Sequence, residues 1–178
     1  MTADCTTATR LTFAFSEIKD RLIIWTSDGD GDPVALALTR RMTERVIDGL
    51  ACVLQQSSLA ARQAPRELRD DVVLIEHHGA LADAGQGRSS PSSSSASEAS
   101  RELAAPPQLV ATINVTTMPR EFRLEFVTTG GSTVLIRLNR VGLHRLVDVL
   151  RRKAEDADWN LPRRVSWLEL GRVRMVLQ

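Results

Sequence analysis

Aromatic residues are scarce in this sequence, and their scarcity limits the kind of core that the chain can build. Of the 178 residues only 4% are aromatic, and tyrosine is absent. Since 43% of the residues are nevertheless apolar, we expect an aliphatic core of leucine, valine and isoleucine. The length is sufficient for one medium domain, or two small intertwined ones, with a real core.

Cysteines and long apolar runs are also lacking, and each absence excludes a class of protein. Two cysteines do not make a disulfide framework, so a reducing, cytoplasmic compartment is expected. The polar first ten residues show no apolar segment of a secretory signal. No run approaches the roughly 18–20 apolar residues that span a bilayer, so we expect no membrane association.

The net charge is close to zero, but the charges are unevenly distributed. The formal total is +1, and near-neutrality gives no simple argument for nucleic-acid binding. Residues 1–100 carry 10 basic and 14 acidic side chains, whereas residues 101–178 carry 13 and 8. These halves can attract each other, another copy or a charged partner. The abundance of Arg and Ala beside little Lys is typical of a GC-rich bacterial genome.

Apolar alternation predicts three strands at the start of the chain. Residues 1–10 are polar and are expected to be a flexible N-terminus, followed by a first β-β-β-α unit with an extra helix over residues 11–84. In the first and third of these strands, large apolar residues recur at every second position, as half-buried strands require. The second is a β-rich run that is apolar on both faces. The strands are expected at residues 11–15, 21–26 and 34–38.

Helical spacing of apolar residues follows these strands. Thr39 is a good N-cap, because its hydroxyl can accept from the first free backbone N–H groups of a helix. A further helix is expected to begin near Pro65 and to end or bend at Gly79. Residues 40–83 are therefore interpreted as a helical hairpin. The apolar stripe of its second helix is expected to comprise Leu68, Val72 and Ile75.

A serine-rich segment separates this unit from a similar one. Residues 85–105 contain few large apolar side chains and are expected to be a flexible linker. Residues 106–178 then repeat the order of three strands and a helix, with Asn139 as the N-cap. The alternating tail from Val165 to Leu177 predicts a C-terminal strand.

The two halves also align without gaps. A shift of 100 residues places Gly31–Leu50 on Gly131–Leu150 with seven identities in twenty positions. The predicted fold class is therefore α+β: internally duplicated β-β-β-α units with an antiparallel sheet and helices packed on one face, plus a helical hairpin insertion. This order of elements resembles that of the PUR-type single-strand nucleic-acid-binding proteins. The resemblance rests on element order alone, so no site residue is transferred.

One carboxylate precedes a pair of histidines, at Glu76, His77 and His78. Adjacent helical residues point about 100° apart, whereas zinc-binding helices use histidines four residues apart. The third histidine, His144, lies in the other half of the chain. We therefore expect polar residues at a helix rim and no metal.

Alternating aspartates begin a second candidate site, in which Asp28, Asp30 and Asp32 resemble the start of a calcium-binding loop. Such a loop needs Gly at its sixth position and Glu at its twelfth. Those positions hold Pro33 and Thr39, so a solvated hairpin turn is the favoured interpretation.

Catalytic motifs are lacking. The sequence contains no glycine-rich phosphate loop and no nucleophile elbow. Cys52 lies near the apolar stripe of its helix and is interpreted as a packing residue. We therefore expect no enzyme, no cofactor and no small-molecule substrate.

Basic residues recur on and after the two helices that follow the predicted strands. They form either a surface that follows phosphates or simply solvated helix faces. The strand that contains Trp25 is apolar on both sides, so its own helices or a partner must cover it, and Trp167 raises the same question. The candidate binding residues are Trp25, Arg40, Arg45, Arg140, Arg145, Arg151, Arg152 and Trp167.

The sequence thus favours a non-enzymatic binding or structural subunit that acts through protein–protein contacts in a larger assembly. Its partner would be another protein or a second copy. The alternative is a single-stranded nucleic-acid-binding protein that uses the basic second half. A third interpretation, an enzyme or metal protein, would use the histidine pair or the aspartate loop.

Overall fold

The computed structural model describes residues 5–8, 10–27, 34–82, 106–162 and 164–170, which form an α+β structure. The strands are β1 (Cys5–Ala8), β2 (Arg10–Ser16), β3 (Arg21–Ser27), β4 (Val34–Leu38), β5 (Gln108–Thr117), β6 (Phe122–Thr128) and β7 (Thr133–Leu138). The helices are α1 (Arg40–Ser57), α2 (Leu59–Gln63), α3 (Arg69–Ala82, after a 3-10 turn at Arg66–Leu68), α4 (Arg140–Asp156) and α5 (Ser166–Leu170). The predicted linker at 85–105 and the aspartate turn at 28–32 lie outside the described residues.

The sheet is mixed, and the prediction of an antiparallel sheet was wrong. The strand order is β1-β7-β6-β5-β4-β3-β2. Within β2-β3-β4 and within β5-β6-β7 the neighbours are antiparallel, but β4 pairs with β5 and β7 with β1 in parallel. Each antiparallel group has three strands, so its first and last strands run the same way. Two such groups placed side by side in one orientation must therefore meet in a parallel pair.

The two end strands of the sheet are neighbours along the chain. Strands β1 and β2 stand at opposite ends of the order, yet only residue 9 separates them along the chain. Since consecutive Cα atoms are about 3.8 Å apart, Ala8 and Arg10 lie within about 8 Å of each other. Part of the N-terminus predicted to be flexible is thus a strand, because Cys5–Ala8 pairs with the exposed backbone edge of β7.

The two parallel junctions have equivalent registers. At one junction Leu36 lies opposite Gln108, and at the other Ile136 lies opposite Ala8. Leu36 and Ile136 are 100 positions apart, and so are Ala8 and Gln108. This is the same shift that aligns the two halves of the sequence.

One face of the sheet packs against α1 and α4 to form the main core. Because strand side chains alternate, Leu22 and Ile24 of β3 point to this face and Ile23 and Trp25 to the other. The core is mainly aliphatic, with Leu36, Leu38, Leu124 and Ile136 from the sheet and Leu50, Leu54, Leu143 and Leu150 from the helices. The prediction of a core made of leucine, valine and isoleucine was incomplete, because Phe122, Phe126, Trp159 and Trp167 are also buried in it. On the opposite face Trp25 is buried in a small cluster with Ala14, Ile23, Ala35 and Ala37.

Both long helices begin at the predicted caps. The Thr39 hydroxyl accepts from the backbone N–H of Met42 at 3.1 Å, and the Asn139 side-chain oxygen accepts from Gly142 at 2.7 Å. The interpretation of Cys52 as a packing residue was wrong. Its side chain is exposed, because it lies about 200° around α1 from buried Leu50.

The beginning of the C-terminal tail is helical where a strand was predicted. Residues Trp167 and Leu168 are adjacent and both buried, which a strand with one buried face would not allow. The Trp167 indole also donates to the backbone oxygen of Ala51 at 3.3 Å, so α5 is held against α1. Residues 171–177 of that predicted strand lie outside the described residues. No helix in the described part of the chain has the length and apolarity needed to cross a membrane.

Candidate interaction surface

Helix α3 has two apolar faces, and only one of them enters the core. Its buried residues are Val73, His77 and Ala80. The predicted apolar stripe lies beside this face: Val72 packs partly against the main core, whereas its other two members do not. Along it Leu68 is 50% exposed and Ile75 is 69% exposed. Leu68, at the end of the 3-10 turn, and Ile75, on α3, therefore remain largely exposed to solvent.

A polar network fixes the rotation of α3. The Glu76 carboxylate, which lies between the two faces, accepts from the Arg140 guanidinium at 2.6 and 3.2 Å. It also accepts from the Ser58 hydroxyl at 2.8 Å. These bonds hold α3 against α4 and the end of α1, so the apolar stripe points away from both.

Arg140 also completes the C-terminal end of α1. Its guanidinium donates to the Leu54 backbone oxygen and to the Ser57 hydroxyl, each at 2.8 Å. The last carbonyl groups of a helix lack partners within it, and this side chain supplies one. Its hydrogen bonds thus connect α4, which carries Arg140, to α1 and α3.

Beneath α3 two histidines from different halves of the chain meet. The Nδ1 atoms of His77 and His144 are 3.2 Å apart, and both rings are buried against the indole of Trp167. Burial lowers the pKa of His77 to about 4 and that of His144 to about 3. Both rings are therefore neutral near pH 7, and one Nδ1 donates while the other accepts.

The sequence singled out His77 beside His78 and missed its true partner. No local spacing relates His77 to His144, so only the folded chain brings them together. Among the described residues no group of three or more His, Cys, Asp or Glu side chains is arranged to hold a metal ion.

A glycine extends the exposed stripe. Gly79 lies on the same side of α3 as Leu68, Val72 and Ile75, and the helix continues past it to Ala82, although the sequence predicted an end or bend there. A Cβ added at Gly79 would meet no atom within 4 Å, so the protein's own packing does not require glycine. Glycine in a helix interior costs about 1 kcal/mol relative to alanine. We call Leu68, Ile75 and Gly79 the α3 stripe, because Val72 packs partly against the main core.

The remaining candidate arginines fall into two groups. Arg40 and Arg45 are exposed on α1, whereas Arg145 donates to the Ala80 backbone oxygen at 3.3 Å. Arg151 and Arg152 pair with the buried Asp148 carboxylate at 3.5 and 2.8 Å. Of the two candidate tryptophans, Trp167 is fully buried in the main core and Trp25 is buried in the smaller cluster.

The fold and the surface together define the class: an α+β protein with a mixed seven-stranded sheet and, within the described residues, an apolar helix face that points outward. Comparison with family models, curated proteins and solved structures finds no match to this chain.

Proposed function

We propose that the protein is a non-enzymatic binding or structural subunit that acts through protein–protein contacts, and that the α3 stripe is its contact surface. The observation that carries the proposal is the exposure of Leu68, in the 3-10 turn, and of Ile75 on α3, a helix whose other apolar face is buried. Large apolar side chains grouped on one helix face typically mark an interaction site. Isolated ones need no such explanation.

We further propose that the chain arose by duplication of a β-β-β-α unit and that α2 and α3 were inserted into the first copy. The equivalent registers of Leu36 with Gln108 and Ile136 with Ala8 support the duplication. The α3 stripe then lies in the inserted part, where an added function is expected.

The occupant that we propose for the stripe is a second copy of this chain. Two α3 helices across a twofold axis would bury the same residues from each copy, as symmetric dimers do. Small residues allow two helices to approach closely, and Gly79 lies in the stripe without an internal packing role. The uneven charge distribution gives each copy an acidic and a basic half to pair with the other.

Replacing Ile75 by glutamate is expected to weaken self-association. Burial of one large apolar side chain stabilises a contact by about 1.5–3 kcal/mol, so the dissociation constant should rise about tenfold or more. Analytical ultracentrifugation over a concentration series measures this change. Leu68→Glu should act in the same direction.

The matched control is Ile18→Glu. Ile18 is 99% exposed in the turn before β3 and lies outside the stripe. It should leave the dissociation constant unchanged. A wild-type chain that is monomeric at every accessible concentration, or equal effects of both isoleucine variants, would contradict the proposed dimer.

The alternative function, binding of single-stranded nucleic acid by the second half, is supported by a different observation. Arg123 of β6 and Arg137 of β7 lie directly opposite each other on the face away from the main core. Like charges at such positions destabilise a sheet unless a counter-charge is present. The Glu125 carboxylate, 3.1 Å away, is the counter-charge of Arg123, and the Arg137 side chain is exposed to solvent. A phosphate would supply another.

Neutralising both arginines tests this alternative. Arg123→Gln with Arg137→Gln should weaken binding of a fluorescent single-stranded oligonucleotide and reduce the salt dependence by about one unit of slope for each lost contact. Anisotropy at low and physiological salt provides the measurement, with exposed Arg62→Gln on α2 as the control. An absence of binding at low salt, where charges are least screened, would eliminate this function.

A further inference from the structure

A cavity of about 360 Å³ lies between α1, the end of α4 and the segment that follows it. It belongs neither to the α3 stripe nor to the sheet face. Its apolar wall comprises Ile47, Ala154, Trp159 and Leu168, all of them buried. Four carboxylates also line it, from Glu44, Asp48, Glu155 and Asp158.

The positive charge at this cavity is smaller than the negative charge. Arg151 is the basic residue among the described lining residues, and its guanidinium pairs with buried Asp148. Burial and the neighbouring Glu44 carboxylate raise the pKa of Asp48, although Arg164 opposes this shift. An added cation would therefore be stabilised by carboxylates that burial has partly desolvated.

One guanidinium already occupies the rim and shows which chemistry these carboxylates accept. The Arg164 side chain lies 3.1 Å from the Glu44 carboxylate and 3.9 Å from that of Asp48. It is nevertheless 72% exposed, so little packing holds it there. A ligand with the same head group can displace it at small cost.

We infer that this cavity binds an alkyl guanidinium, with its head group on Glu44 and Asp48 and its alkyl chain along the apolar wall, and that Arg164 competes for the head-group position. The planar guanidinium suits two neighbouring carboxylates, because it presents several N–H donors in a fixed geometry. Cavities that combine an apolar wall with a few polar groups are typical ligand sites. The source is either a protein's arginine side chain or a free small cation.

The test uses the full chain and n-butylguanidinium, titrated by isothermal calorimetry. Its neutral isostere n-butylurea should not bind detectably. Asp48→Asn should weaken guanidinium binding about tenfold, since it removes a charge-assisted contact. Arg164→Gln should strengthen binding about two- to fivefold, because it removes the competitor. Glu169→Gln, an exposed carboxylate on α5 outside the cavity lining, should change nothing.

Equal binding of the urea and the guanidinium would overturn the inference, and so would no response to both Asp48→Asn and Arg164→Gln. Circular dichroism checks that the variants fold. If Asp48→Asn does not fold, the response of binding to Arg164→Gln alone tests the site. A capped Gly-Arg-Gly peptide that binds more tightly than n-butylguanidinium supports a protein source, and the reverse order supports a free cation. If neither the peptide nor n-butylguanidinium binds, the proposed site is refuted. The Ile75→Glu variant should bind normally, which separates this test from that of the α3 stripe.

Discussion

Acidification from neutral pH to about pH 4 is expected to lower the free energy of unfolding by several kcal/mol through the buried histidine pair. In the folded chain burial lowers the pKa of His77 to about 4 and of His144 to about 3. The positive charges of Arg151 and Arg140 act in the same direction, and the Asp148 carboxylate opposes the shift of His77. Unfolded histidines titrate near pKa 6.5.

The sign follows from proton binding. Below pH 6.5 the unfolded chain takes up protons that the folded chain refuses, so stability is fully present above that pH and is lost as the pH falls towards the folded pKa values. Each unit of pKa shift corresponds to about 1.4 kcal/mol. Loss of two histidine contributions should therefore dominate acid unfolding in this range.

Urea denaturation at a series of pH values between 7 and about 4 measures the effect. His144→Leu should reduce the pH dependence, because one of the two protons is no longer taken up on unfolding. His78→Gln is the comparison variant: His78 is exposed on α3 and contributes less than burial to the lowered pKa of His77, so this change should alter the pH dependence less than His144→Leu does. If both variants keep the pH dependence of the wild-type stability, the buried histidine pair is not the cause of that dependence.

Replacing Arg140 by methionine is expected to lower the free energy of unfolding by about 2–3 kcal/mol. The change leaves the half-buried Glu76 carboxylate without its cation and the Leu54 carbonyl without this donor. Removing one partner of a fully buried ion pair costs about 3–5 kcal/mol, and the partial exposure of this pair reduces that figure. Methionine keeps most of the aliphatic stem.

The sequence itself provides the control for this variant. Arg40 stands 100 positions earlier, is exposed, and donates to the Asn160 backbone oxygen at 3.4 Å. Arg40→Met should therefore change stability by only a few tenths of a kcal/mol. A double-mutant cycle with Glu76→Gln measures the coupling of the pair. Additive effects of Arg140→Met and Glu76→Gln would show that the pair contributes no coupling.

The sequence by itself determined the elements that depend on neighbouring residues. Alternation in β2 and β6, the caps Thr39 and Asn139, and the apolar spacing in α1 and α4 all report local geometry, and the structure contains each of them. Side-chain period and cap chemistry act within a few residues, so they can be read without knowing the fold.

Only the tertiary structure decided the features that join distant residues. Helix α3 is apolar on two faces, so its sequence does not say which one is buried. The ion pair between Glu76 and Arg140 holds it against α4 in the observed rotation. The parallel junctions, the pairing of β1 with β7 and the contact of His77 with His144 likewise join segments far apart in the chain. Local pattern carries no information about such partners, because their contact energies exist only once the sheet has closed and the helices have packed.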